Sequence, residues 1–163
     1  MRFLLGLAVG AFALSSAATA NADDTAKVMC EQFAISGATK TVMPTMQLSE
    51  DFIPKHHAPR NIPIEVSLPE NVVAYIHFPI VEDGTYFIYA TEPDRMAGLL
   101  EKNGDAISSS TVSAPEACPD VLTGGLTANI NVGELTGPRP IAIELTAGAA
   151  TSLRLIVSRD PIN

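Results

Sequence analysis

The sequence predicts an all-β protein: an antiparallel β-sandwich, jelly-roll-like or immunoglobulin-like, of about eight strands with one disulfide. Three observations predict it. The stretch from Ile62 to Ala90 holds three β-rich runs separated by two turn signals, Glu70-Asn71 and Glu82-Asp83-Gly84. The last third of the chain repeats short alternating runs between Gly/Pro turns, the pattern of sandwich strands. Cys30 and Cys118 are the only cysteines, and in an oxidising compartment two cysteines most simply pair.

The compartment is read from the first residues. Met1-Arg2 is a short basic start, Phe3 to Leu14 is apolar, and Ser15 to Ala22 is rich in small residues. That order is a secretory signal peptide, with A-x-A sites at Ala18-Thr19-Ala20 and Ala20-Asn21-Ala22. Cleavage after Ala22 is the preferred site, because Asp23-Asp24 then opens a polar mature chain. The apolar run is short for a membrane span, so no stable membrane insertion is expected after cleavage. The expected organisation is residues 1–22 as signal and 23–163 as one β-sandwich domain, periplasmic or secreted. Removing 22 residues from 163 leaves 141, enough for one core. Lys+Arg falls from 10 to 9 against 18 Asp+Glu, for a net charge of −9. Such an acidic chain argues against nucleic acid and anionic membranes as partners.

The elements follow in order. Lys27 to Ile35 alternates loosely and is expected as a first strand carrying Cys30. Thr41 to Leu48 is expected as an edge strand, where Pro44 sits away from the ladder. Ser49 to Asn61, with two prolines and His56-His57, is expected as a loop. Ile64, Val66 and Leu68 alternate with Glu65 and Ser67, the period of a half-buried strand. Val72, Ala74, Ile76 and Phe78 form the next inward set, with Val73, Tyr75 and His77 opposite. Tyr86, Ile88 and Ala90 alternate with Phe87 and Tyr89; both faces are apolar, so this strand is expected to be central.

Met96 to Glu101 reads as a strand or a single helical turn. Asn103-Gly104 is the strongest hairpin signal, connecting Gly98–Lys102 to Ala106–Val112. Ala114 to Val121 is a loop carrying Cys118. Three alternating strands close the chain, around Leu126–Val132, Ile141–Leu145 and Leu153–Val157. No amphipathic helix and no internal repeat is expected in the mature chain.

One family resemblance runs through these strands. From Val73 through Phe78, then Gly84-Thr85-Tyr86-Phe87-Ile88, Leu99-Leu100, Asn103-Gly104 and the alternating pair ending at Val157, the chain resembles the bacterial pre-peptidase C-terminal domain. It departs where Gly137-Pro138-Arg139-Pro140 replaces a second Gly-Tyr, and no peptidase is attached. The resemblance covers about half of the mature chain. It implies a jelly-roll-like sandwich and a non-catalytic accessory or binding role.

Residues able to carry chemistry are few. No nucleophile elbow, P-loop or dinucleotide fingerprint occurs in the mature chain, so catalysis is not expected. Glu50-Asp51 and Glu82-Asp83 read as solvated turn charges. The sharpest cluster is Met43-Pro44-Thr45-Met46 followed by His56-His57, with His77 on a facing strand. Thioether and imidazole are the ligands that suit copper, and imidazole also suits zinc. The plainer reading makes the methionines packing residues, His56-His57 an exposed loop pair and His77 an outward strand residue.

Tyr75, His77, Phe87 and Tyr89 are expected to share the outer face of the central strands. Uncovered, Tyr75, Phe87 and Tyr89 would form an apolar binding face. Covered by a second sheet or by the Ser49–Asn61 loop they are core, the favoured reading for aromatics on central strands. The functional expectation is an exported binding or accessory module that presents the loops Ser49–Asn61 and Ala114–Thr123 to an envelope protein or small ligand. The alternative is a periplasmic copper or zinc protein using Met43, Met46, His56, His57 and His77.

Overall fold

The computed structural model describes residues 26–34, 40–48, 58–80, 82–135, 141–149 and 151–160. The segment 1–22 expected as a signal, the pair His56-His57 and the stretch 137–140 lie outside the described residues.

Strand formation follows the alternation. β1 (Lys40–Val42) and β2 (Ile64–Leu68) open the molecule. β3 (Ala74–Phe78), β4 (Gly84–Ala90) and β5 (Met96–Leu100) follow. β6 (Ala106–Ile107), β7 (Ser110–Ser113), β8 (Gly124–Ile130), β9 (Ile141–Leu145) and β10 (Thr151–Arg159) complete it. One sheet has the order β1-β2-β10-β4-β8-β7, and the other β3-β9-β5-β6. Every strand pair is antiparallel except β1 with β2, which is parallel.

Eight of the strands set β2-β10-β4-β8 against β3-β9-β5-β6. The chain crosses between sheets from β2 to β3, back to β4, over to β5, and again on either side of β9. This is a jelly-roll arrangement, which selects between the two sandwich types the sequence leaves open. Among the described residues there are ten strands, against about eight expected. The expected edge strand Thr41–Leu48 is shortened to β1, and the expected strand Ala106–Val112 breaks at Ser108-Ser109, leaving β6 in one sheet and β7 in the other.

The core lies between the sheets. Ile64, Val66 and Leu68 meet Ala74, Ile76 and Phe78, with Tyr86, Ile88, Ile141, Ile143, Leu145, Leu153, Leu155 and Val157. β4 lies between β10 and β8, as its two apolar faces predict. The Asn103-Gly104 hairpin is present: Gly104 has φ +91°, and Leu99 and Leu100 pair with Ile107 and Ala106.

The first expected strand is instead a helix, α1, residues 26–34. Ala26, Met29, Cys30 and Phe33 are buried while Lys27, Val28 and Glu31 are exposed. The buried set falls at i, i+3, i+4 and i+7, one face of an amphipathic helix. The expectation that no such helix exists is thereby corrected. Its apolar face packs on the outer side of the larger sheet, where Met29 and Phe33 join Phe87, Tyr89, Leu122 and Ile156 in a second core. Each large apolar side chain buried there contributes about 1.5–3 kcal/mol.

The Cys30–Cys118 disulfide, with a Cα–Cα distance of 5.7 Å, fastens α1 to the loop before β8. Arg154 of β10 lies over the Phe33 ring at 4.9 Å, adding a cation–π contact under the helix.

Candidate binding site

A short strap of chain, residues 43–48, leaves β1 at one edge of the larger sheet and reaches β3 at the edge of the smaller one. Thr45 and Tyr75 exchange two backbone hydrogen bonds. The Thr45 N–H donates to the Tyr75 carbonyl at 3.0 Å, and the Tyr75 N–H donates to Thr45 at 2.8 Å. The contact is antiparallel. Farther along, the Ala58 N–H donates to the His77 carbonyl at 2.7 Å. The outer edge of β3 is therefore occupied by two non-consecutive pieces of chain.

Pro44 shapes this crossing. It cannot donate a ladder hydrogen bond, so β1 ends before it, and only Thr45 pairs beyond it. The Thr45 hydroxyl then accepts from the Gln47 N–H at 3.3 Å, turning the strap at Met46.

The strap leaves apolar side chains outside. Met43 is 55% exposed and Met46 63%, and Val73, just before β3, is 41% exposed. Methionine is flexible and polarisable and is favoured on surfaces that adapt to varied partners.

His77 lies opposite the inward residues of β3, as alternation predicts, but it is covered there. Its side of β3 is the outer one, yet it is only 2% exposed, and Ala142, paired with it on β9, is 1% exposed. Leu48 sits against the far hairpin, its Cδ1 3.8 Å from where a Cβ on Gly104 would be. Among the described residues no group of three or more His, Cys, Asp or Glu side chains gathers as a metal site.

The aromatic face divides between the two sheets. Tyr75 belongs to the smaller sheet, whereas Phe87 and Tyr89 belong to the larger. Glu82-Asp83-Gly84 links strands of different sheets, so β3 and β4 are not neighbours. The expected shared face of Tyr75, His77, Phe87 and Tyr89 therefore does not form. Phe87 and Tyr89 are buried beneath α1, their rings stacked at 6.4 Å. Packing is the reading that fits these two, but the cover is α1 and the loop bearing Leu122. Tyr75 remains half-buried beside the strap.

Two further features escaped the residue pattern. Glu82 is no plain solvated charge: it forms ion pairs with buried Arg159 and, at 3.9 Å, with Arg60. Arg159 also donates to the Asp83 carbonyl at 2.9 Å, and the Asp83 carboxylate accepts from the Val132 N–H at 2.7 Å. Beneath them the Tyr86 hydroxyl donates to the Glu82 carbonyl at 2.9 Å. Burial pushes the Tyr86 phenol above its ordinary range, with Arg159 and Arg60 opposing. This network ties the turn before β4 to the end of β10.

The second feature is a mostly apolar hollow of about 260 Å³ beside the disulfide, lined by Phe33, Ala34, Ala117, Val121 and the two cysteines, with Glu31 at its side. No family model matches this chain, and no curated protein matches it.

Proposed function

We propose that the protein is an exported, non-catalytic binding or accessory module, periplasmic or secreted, that recognises an envelope protein or small ligand through the strap. One observation carries this reading: Met43 and Met46 stand exposed on a strap whose backbone is pinned to β3 at Thr45, and Val73, just before β3, is exposed as well. A pinned backbone has little further ordering entropy to lose on binding. The acidic charge of −8 for the whole chain disfavours nucleic acid and anionic lipid as the partner. The resemblance to the pre-peptidase C-terminal domain, carried by the Gly84–Ile88 and Asn103-Gly104 motifs, agrees with an accessory role.

The test is site-specific photo-crosslinking in an envelope extract, with the probe at position 46 and a control probe at exposed Asn129 on the larger sheet. A partner captured from position 46 alone, and lost when Met43→Ser is added, supports the strap. Equal capture from both positions sinks it.

A second reading, a copper- or zinc-binding protein using Met43, Met46, His56, His57 and His77, rests on the exposed thioethers of Met43 and Met46, soft ligands that suit copper. A metal that binds only the folded state raises the melting temperature. The measurement is thermal unfolding with Cu(I), Cu(II) and Zn(II) against a chelator control, repeated on Met43→Ala/Met46→Ala. A rise with one metal that the variant loses supports this reading. No rise with any metal ends it.

A further inference from the structure

The four sheet edges of the sandwich are not treated alike. The β3 edge is occupied by Thr45 and Ala58. β1 is three residues long and begins with exposed Lys40. β6 is two residues long and sits in a hairpin flanked by Lys102 and Asp105. Short edges, lysines and covering segments are the usual defences against unwanted strand pairing.

β7, four residues long, has neither a lysine nor a covering segment among the described residues. It pairs with β8 on one side, and among the described residues no other backbone hydrogen bond reaches residues 110–113. Its sequence, Ser-Thr-Val-Ser, carries no charge and no proline, and no charged residue occurs from Ala106 to Pro115. Ser110, Thr111 and Ser113 are exposed. Thr and Val favour extended backbone.

A cavity of about 250 Å³ adjoins this edge. Thr111 and Val112 line it from β7, Gly124 and Leu126 from β8, and Met96 and Asp94 from the opposite side. Its size suits one side chain rather than a whole small-molecule ligand. Gly124, at φ +158°, keeps its floor open, because a Cβ there would meet the Val112 carbonyl oxygen at 3.1 Å and Pro93 Cγ at 3.3 Å. Asp94 is exposed, and no ion pair to it is found among the described residues.

We propose that β7 accepts an extended basic peptide segment of a partner protein as an added strand, with one cationic side chain entering the cavity beside Asp94. Main-chain hydrogen bonds would supply the affinity and the cavity the selectivity, since alternate side chains of an added strand point to one face. Charge selects this occupant over a second copy of the chain. Each copy carries −8, and the β7 of a copy has no cation to offer the cavity.

The probe is the peptide acetyl-Thr-Val-Thr-Lys-Thr-Val-Thr-amide, titrated at low salt into the disulfide-bonded protein and followed by backbone amide NMR. Amide shifts centred on residues 110–113 are expected. The Lys peptide should bind about three- to fivefold more tightly than its Glu counterpart, a preference that Asp94→Asn and high salt remove. N-methylation of alternate peptide amides leaves the protein untouched: along the pairing edge it should weaken binding about tenfold, along the other edge hardly at all. Absence of binding, shifts centred elsewhere, equal affinity for the Lys and Glu peptides, or equal effects of both N-methylations would overturn the proposal. So would self-association through β7 in the absence of peptide, seen by sedimentation.

Discussion

The β1/β3 side of the sandwich and the β6/β7 side solve the same problem differently. Both end in strands whose outer backbone groups need partners or water. On the first side the strap crosses from sheet to sheet, and three backbone hydrogen bonds from Thr45, Tyr75 and Ala58 occupy the edge of β3. On the second side the chain also changes sheets, at Ser108-Ser109, but it runs on as β7, whose outer edge no strand pairs with among the described residues. The difference lies in local sequence. Pro44 stops β1 and forces the chain off the ladder, whereas the uncharged, proline-free stretch after Ala106 continues as strand. One side is therefore locked through its backbone and exposes methionine side chains; the other exposes the backbone itself.

This contrast presumes that the common core holds both sides, and the largest expected effect tests that premise. Cys30→Ser/Cys118→Ser removes a tether across 88 positions, which the chain-entropy account values at about 4–5 kcal/mol. Urea unfolding should show that loss. Hydrogen exchange should show it concentrated at α1 and over Phe87 and Tyr89, with the Thr45–Tyr75 amides losing no more than the global stability change. Selective loss at the strap would mean that the closed side depends on the helix.

Gly125→Ala strikes the foundation of the open side. A Cβ on Gly125 would overlap the Ile88 carbonyl oxygen, so β8 must shift against β4. A cost of about 3 kcal/mol is expected, at the upper end for overpacking. A denaturation midpoint close to that of the unsubstituted protein would refute it.

A matched pair of substitutions sharpens the contrast directly. Thr45→Pro deletes the donor to the Tyr75 carbonyl and should cost about 1–2 kcal/mol, the worth of a lost hydrogen bond with its orphaned acceptor. Thr111→Lys on the bare edge should change stability by less than about 0.5 kcal/mol. Equal costs would erase the distinction between a locked and an open side.

The smallest effect concerns alkali. The Tyr86 phenol titrates higher in the folded state than its ordinary value of 10.0. A folded pKa above the unfolded one contributes stability that is present below pH 10.0 and is lost as pH rises through the folded value. Tyr86→Phe should lose about 1 kcal/mol at neutral pH with the hydrogen bond to Glu82, and should show a shallower fall above pH 10.0. An alkaline profile identical to that of the unsubstituted protein would show that Tyr86 is not the titrating group.

Much of this fold was legible because strands announce themselves by period two. Ile64–Leu68, Ile141–Leu145 and Leu153–Val157 alternate, and each forms a strand facing the core. The hairpin at Asn103-Gly104 was legible for a local reason too, since Gly104 adopts a positive φ. The helix at 26–34 was misread although its signal was present. Ala26, Met29, Cys30 and Phe33 have helical spacing, but Val28 on the exposed face and Ile35 just beyond blur the stripe into a loose alternation. Of the candidate ligands, Met43 and Met46 were visible by type, while for His77 an outward and a covered position both stood open. A strand residue's side is written in its parity, but what covers that side is not.

By itself, then, the sequence determined an all-β sandwich, its central strand and the pairing of its only two cysteines, because periodicity, turn chemistry and cysteine count are local or countable properties. The tertiary structure alone decided which strands are neighbours. It placed Tyr75 and Phe87 in different sheets, sent α1 and the loop bearing Leu122 over Phe87 and Tyr89, drew the strap across β3 and, among the described residues, left the outer edge of β7 without a paired strand. Those outcomes depend on contacts between residues far apart in the chain, where burial of apolar surface is non-directional and only the whole packed arrangement selects the partner.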